Sequence, residues 1–190
     1  MSFIDTPIGR HFPWYVRLFF WNQKRRYGAV LEPAKLWARS PRVFAALALL
    51  YGALDRRTSP IDPTLRSLVC VRVSQINWCP FCIDINSANV LKRGIEQAKL
   101  SDLATFDAST RYSQREKAAL AYAEAMTYSN KQPTVAQVER LRAHFHDDAI
   151  VELTALIAFQ NLSSKFNAAL DVAPQGFCHA TGQATTSSKA

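Results

Sequence analysis

A chain of 190 residues with 48% hydrophobic residues and six glycines is long enough for a substantial core and too apolar for a disordered polypeptide. Its formal net charge of +8 is uneven: residues 1–72 hold 12 Lys/Arg against 4 Asp/Glu, a difference of +8, while residues 73–190 hold 11 against 11. Four cysteines, Cys70, Cys79, Cys82 and Cys178, are too few and too unevenly placed for a secreted disulfide scaffold.

The start, Met-Ser-Phe-Ile-Asp, has no basic stretch followed by an apolar one, so no signal peptide is expected. The first predicted helix, Phe12 to Tyr27, interleaves Trp14, Leu18 and Trp21 with Arg17, Lys24, Arg25 and Arg26. Phe19 and Phe20 widen its apolar face, which favours packing against protein over lying on a membrane surface. Pro33 and Pro41 each suit the first turn of a helix. A short piece, Ala34 to Arg39, lies between them, and an apolar helix, Val43 to Leu54, follows. That run falls short of the roughly 20 residues that span a bilayer. A soluble cytoplasmic protein with no membrane span is therefore the expectation. Asp62-Pro63 reads as a cap followed by a first-turn proline, opening a helix through Leu65, Leu68, Val69, Val73 and Ile76.

Beyond Gly94 a short helix is predicted over Ile95 to Phe106. Ser113-x-x-Glu116 and Thr134-x-x-Gln137 match the capping box and open helices running to about Ser129 and His144. Asp147 is the expected cap of a last helix, Ala149 to Leu170, whose apolar residues cover most of its circumference and predict that it is largely buried. No strand-type alternation and no internal repeat are present, so the predicted class is all-α. The predicted organisation is a single helical domain over 1–180, with N-terminal helices in 1–60 and a core in 61–170. A small, polar, disordered tail is predicted over 181–190.

The sharpest chemical signal is Asn77-Trp78-Cys79-Pro80-Phe81-Cys82. With Cys79 as cap and Pro80 in first position, Cys82 falls one turn on, on the same face. Free backbone N–H groups and the helix dipole there favour thiolate over thiol. A thiolate attacked by peroxide becomes a sulfenic acid, and a second thiol nearby condenses with it to a disulfide. The same pair can exchange disulfides with a thiol donor. Trp78 and Phe81 would form an apolar substrate pocket suited to an organic hydroperoxide. Zinc would need two further ligands, and His11, His144, His146 and Cys178-His179 offer no second compact pair, so no metal and no cofactor are expected. Cys70 and Cys178 read as structural or incidental.

Leu65 through Asn86, closing at Leu91-Lys-Arg-Gly94, resembles the core of the carboxymuconolactone decarboxylase family, in its alkyl hydroperoxidase D-like branch. Val151 to Asn167 resembles that family's closing helix. The resemblance implies a multi-helical bundle with Cys-x-x-Cys at a helix N-terminus, a homo-oligomer (dimer, trimer or hexamer) and an antioxidant peroxidase cycling a dithiol. Cys82 would form the sulfenic acid and Cys79 would resolve it. The branch carries a glutamate 12 residues before the first cysteine and a histidine four after the second. Here those positions are Ser67 and Asn86, neither of which titrates near neutrality. Lost acid–base help of about 10²–10⁴-fold implies a weak peroxidase or a different use of the dithiol. Asp84 is a possible substitute, but its position points it to another face, where it would stabilise the first turns of the helix.

Two rivals remain. One is a decarboxylase or isomerase of lactone-type acids, as in the family's naming member, with Arg66 and Arg72 holding carboxylates. The other is a non-enzymatic helical oligomer binding an anionic partner through Lys24, Arg25 and Arg26. The leading reading has a hydroperoxide or disulfide substrate, a thiol electron donor and no nucleic acid.

Overall fold

The computed structural model describes residues 2–4 and 11–178; the predicted tail 181–190 lies outside the described residues. The elements are α1 (Trp14–Tyr27), α2 (Glu32–Trp37), α3 (Pro41–Leu54), α4 (Pro63–Ile76), α5 (Pro80–Lys92), α6 (Gln97–Ser101), α7 (Gln114–Thr127), α8 (Val135–Arg142) and α9 (Asp147–Ala169). No strand occurs among the described residues. No helix among them is long and apolar enough to cross a membrane. The predicted helix over Ile95–Phe106 is shorter, with α6 giving way to one 3-10 turn, Asp102–Thr105.

The local signals act as chemistry dictates. Asp62 accepts from Leu65 N at 2.8 Å and Pro63 supplies the preset first turn of α4. Ser113 and Thr134 both form complete capping boxes. The cap of α9 is not Asp147. His146 takes that place, its Nδ1 accepting from Ala149 N at 3.3 Å, while Asp147 lies one residue inside the helix and faces Arg142. A carboxylate in the first turn still stabilises the helix through its dipole.

Helix α4 is the axis. Every residue from Leu65 to Ser74 is buried, because α5, α7 and α9 all pack on it. Leu68, Val69, Leu120, Leu153 and Ile157 are fully buried in this first core. A second core joins α1, α2 and α3 to the first turn of α5, and holds Val16, Leu36, Phe44, Phe81, Cys79 and Cys82. Its packing is aromatic: Phe19 meets Phe44 edge to face at 4.9 Å and Trp37 stacks on Phe166 at 3.5 Å. The expectation that α9 is largely buried is corrected: only one stripe of it is buried, and Val151 and Leu162 stay exposed. Its inward stripe includes polar Gln160, Ser164 and Asn167, which follow helical spacing as strictly as the apolar residues do.

Residues 171–178 strap the second core shut. Asp84, buried on α5, accepts from Gln175 N at 2.9 Å, Phe177 N at 3.1 Å and Cys178 N at 2.8 Å. Gln175 Oε1 accepts from Glu32 N at 3.1 Å, and Phe177 packs edge-on against Tyr27.

Candidate dithiol site

The turn between α4 and α5 sets the cysteine pair. Trp78 holds a left-handed φ of +51°, which reverses the chain so that Cys79 N donates to Ser74 O at 3.1 Å. Asn77 anchors the turn from the other side, donating to Asn161 Oδ1 at 2.8 Å and Ser164 Oγ at 2.9 Å. Cys79 then stands at the N-cap of α5, its Sγ accepting from Cys82 N at 3.2 Å, with Pro80 in the first turn. Sulfur here fills the place that a serine or aspartate oxygen usually takes. Asn167, near the end of α9, donates Nδ2 to Cys82 Sγ at 3.2 Å. Its Oδ1 is buried without a partner among the described residues.

These contacts split the two thiols. A hydrogen bond from the Cys82 thiol, followed by one from the Cys82 backbone N–H, holds the Cys79 thiol below its ordinary range against the opposing effect of burial. Donating to Cys79 pushes Cys82 far up, and burial adds to it. The pair thus carries one negative charge more readily than two. Cys70, deep in the first core, is pushed up to about 12 by burial and stays a thiol.

Access distinguishes the sulfurs in the opposite sense. Cys79 is fully buried, whereas Cys82 lines a cavity of about 280 Å³ between α1, α2, α3, α5 and α9. Phe19, Trp37, Phe44 and Phe81 give it an aromatic wall, with Asn86, Asn89 and Gln160 as polar points and Arg26 at its α1 side. A smaller recess of about 50 Å³ adjoins it; Tyr51, Asn86, Asn89, Phe159 and Gln160 line both.

The predicted site residues are only partly brought together. Phe81 lines the cavity, but Trp78 does not: its left-handed turn swings the indole outward, 85% exposed. Ser67 and Asn86 both line the recess, where Arg93 donates to Ser67 Oγ. Asp84 has three backbone N–H groups on its carboxylate and serves the strap. Arg66 lines the recess, but Arg72 is spent elsewhere, bonding Glu124 at 2.7 Å and Gln75 at 3.0 Å on the α4–α7 side. No three His, Cys, Asp or Glu cluster as metal ligands among the described residues. Asn167 and Gln160 belong to no sequence motif. Their signal in the sequence is the helical spacing of Gln160, Ser164 and Asn167 along α9.

The model of the carboxymuconolactone decarboxylase family matches residues 41–125. The uncharacterized protein YnjA of Escherichia coli (strain K12) is 42% identical over 166 residues, covering 87% of this chain and 91% of its own. A structure described as an alkylhydroperoxidase AhpD core, a peroxidase-related protein from Ralstonia eutropha JMP134, superposes with a TM-score of 0.83 at 21% identity. That match covers 93% of this chain and 94% of the other. The debrominase Bmp8, in complex with 2,3,4-tribromopyrrole, superposes with a TM-score of 0.81 at 21% identity, covering 96% and 98%. At such identities the two structures establish a shared fold.

Proposed function

Since the chain belongs to the carboxymuconolactone decarboxylase family and has the fold of its alkyl hydroperoxidase D-like, peroxidase-related members, we propose that it is a thiol-dependent oxidoreductase. It reduces organic hydroperoxides by cycling Cys79 and Cys82 between dithiol and disulfide. One observation carries the reading: two hydrogen-bonded sulfurs sit at a helix start, and one of them opens into an apolar cavity.

The chemistry follows from the split of the pair. The Cys79 thiolate is the nearest base to the Cys82 thiol and takes its proton as peroxide arrives. Cys82 then attacks the outer peroxide oxygen; the O–O bond breaks and Cys82 becomes a sulfenic acid. The alkoxide leaves as an alcohol after taking a proton from water. Cys79 attacks the sulfenic sulfur, water departs and the disulfide forms. Two thiols of a donor restore the dithiol and are themselves oxidised. Asn167 supports the Cys82 thiolate by donating to its sulfur. In this scheme the neighbouring sulfur does the work that a titrating relay would do at Ser67 and Asn86.

Hydroperoxide consumption under a reducing donor tests it. Cys82→Ser should abolish turnover, and Cys79→Ser should stop after one equivalent with a dimedone-trappable sulfenic acid. Equal rates in wild type and both variants would sink the reading. A second reading is favoured by the fold shared with a bromopyrrole-binding debrominase and by the aromatic wall here. A dithiol can reduce an aryl bromide to the arene, becoming a disulfide and releasing bromide and a proton. Bromide release from a bromopyrrole, dependent on both cysteines, would distinguish it.

A further inference from the structure

Resting on the reading of the cavity as the substrate site, we propose that the adjoining recess is an anion subsite. The substrate is then an amphipathic organic acid, its apolar body along the aromatic wall and its carboxylate between Arg66 and Arg93.

The recess has an unbalanced charge. Of the residues that line it, Arg66 and Arg93 are cationic and only Asp55 is anionic, leaving a net charge of +1. A single oxygen, Asp55 Oδ1, serves both guanidinium groups, at the long separations of 3.6 Å and 4.0 Å. Neither is a tight bidentate pair of the kind guanidinium forms with carboxylate. The Arg66 side chain is 7% exposed. Its Nη1 donates to Leu54 O at 2.7 Å and Arg56 O at 3.1 Å. Its Nε is buried with no hydrogen-bond partner among the described residues. A buried cation with an idle donor is costly to hold, and a second anion relieves that cost. Arg93 is already fixed by Pro63 O and Ser67 Oγ, so little side-chain freedom is lost when an anion arrives.

Size and connection select the ligand class. A volume of about 50 Å³ holds a planar carboxylate, or a few water molecules in its absence. The walls shared by recess and cavity put the two spaces side by side, within the length of one molecule. An acid held by its carboxylate would lie with its chain against Phe159 and Tyr51 and its far portion in the space that Cys82 opens on. The guanidinium pair therefore gives orientation as well as affinity. Ser67 Oγ and Asn86, which do not titrate, suit a subsite that must keep its charge across the neutral range.

Calorimetric titration of the full chain with octanoate and with 1-octanol, at one ionic strength, tests the subsite. Wild type should bind the acid about tenfold more tightly, the scale of a charge-assisted contact. Arg93→Gln should erase the preference, and Asp55→Asn, which removes the competing carboxylate, should strengthen it. Arg26→Gln, on the α1 side of the cavity, should leave it intact. Equal affinity for acid and alcohol in wild type would overturn the proposal. So would a preference unchanged in both Arg93→Gln and Asp55→Asn, or one abolished by Arg26→Gln. Oxidation of the dithiol by cumene hydroperoxide, which carries no anion, separates the two claims. If it proceeds without acid preference, the subsite fails and the redox reading stands. If the acid preference holds but no hydroperoxide forms the disulfide, the reverse is true.

Discussion

The two cores of this protein place the same side chain in opposite situations. Around α4, α7 and α9 the packing is largely aliphatic, and Cys70, at the edge of the small recess, is one more small apolar group whose thiol burial protects from ionisation. Around α1, α2, α3 and the first turn of α5 the packing is aromatic and encloses a cavity. There the cysteines receive hydrogen bonds from Cys82 N and Asn167 Nδ2. Burial alone makes a thiol inert; burial with donors aimed at the sulfur makes one ionisable. Local hydrogen bonding, more than depth, separates the structural cysteine from the candidate redox pair.

The largest expected contrast is in stability. Leu68→Ala, in the closed core, should cost about 2–5 kcal/mol in urea unfolding because the surrounding helices cannot collapse onto the void. Leu47→Ala, on the existing cavity, should cost roughly 1 kcal/mol, since only part of that side chain leaves water. Similar losses at the two sites would erase the distinction between the cores.

Next comes reactivity. Asn167→Ala removes a donor from the sulfur pair and should slow iodoacetamide labelling at neutral pH about tenfold, the scale of a hydrogen bond to a charged group. Cys70 should stay unlabelled in both proteins, which mass spectrometry of the alkylated peptides would show.

The pH dependence of stability should carry opposite signs for Cys79 and Cys70. Cys79, held below its ordinary value, contributes stability above its unfolded pKa that is lost as pH falls through its folded one. Cys70, raised to about 12, is protonated in the fold while the unfolded chain ionises, so it draws stability down between about pH 9 and 12. Cys70→Ala should flatten that alkaline limb by up to ~1.4 kcal/mol per pH unit. Cys82, Tyr51 and Tyr112, also raised, add to the same limb and should keep part of the slope in the variant. An unchanged slope would mean that Cys70 is less sealed than its surroundings imply.

The smallest effect is remote from both cysteines. Ser113→Ala should cost about 1 kcal/mol by opening the capping box of α7, and should leave thiol labelling unchanged.

What could be read from the sequence follows how local each cause is. Asp62-Pro63, the boxes at Ser113 and Thr134, and Cys79-Pro80 act within one turn of backbone, and the structure places each as its spacing predicts. Trp78 shows the limit: a left-handed residue in the three-residue link between α4 and α5 reverses a direction that composition alone cannot reveal. Arg66 and Arg72 lie on the same helix and look equivalent in sequence. Helix α7 supplies Glu124 to Arg72, and the α3–α4 turn supplies only carbonyls and a distant carboxylate to Arg66. Asn167 lies 85 residues from Cys82, so its role depends on how α9 crosses α5.

The strap has a consequence for the order in which the protein is made. The Asp84 carboxylate is held by peptide groups of residues 175–178, which leave the ribosome about ninety residues after it. Until they emerge, the helix that bears the cysteine pair keeps an unsatisfied anion on its flank, and the vestibule over Cys82 lacks a clamp. Released chains ending at residue 174 should therefore expose Cys79 and Cys82 to maleimide, while released chains that include residues 175–178 shield Cys79. Equal shielding at both lengths would show that the vestibule closes without its clamp.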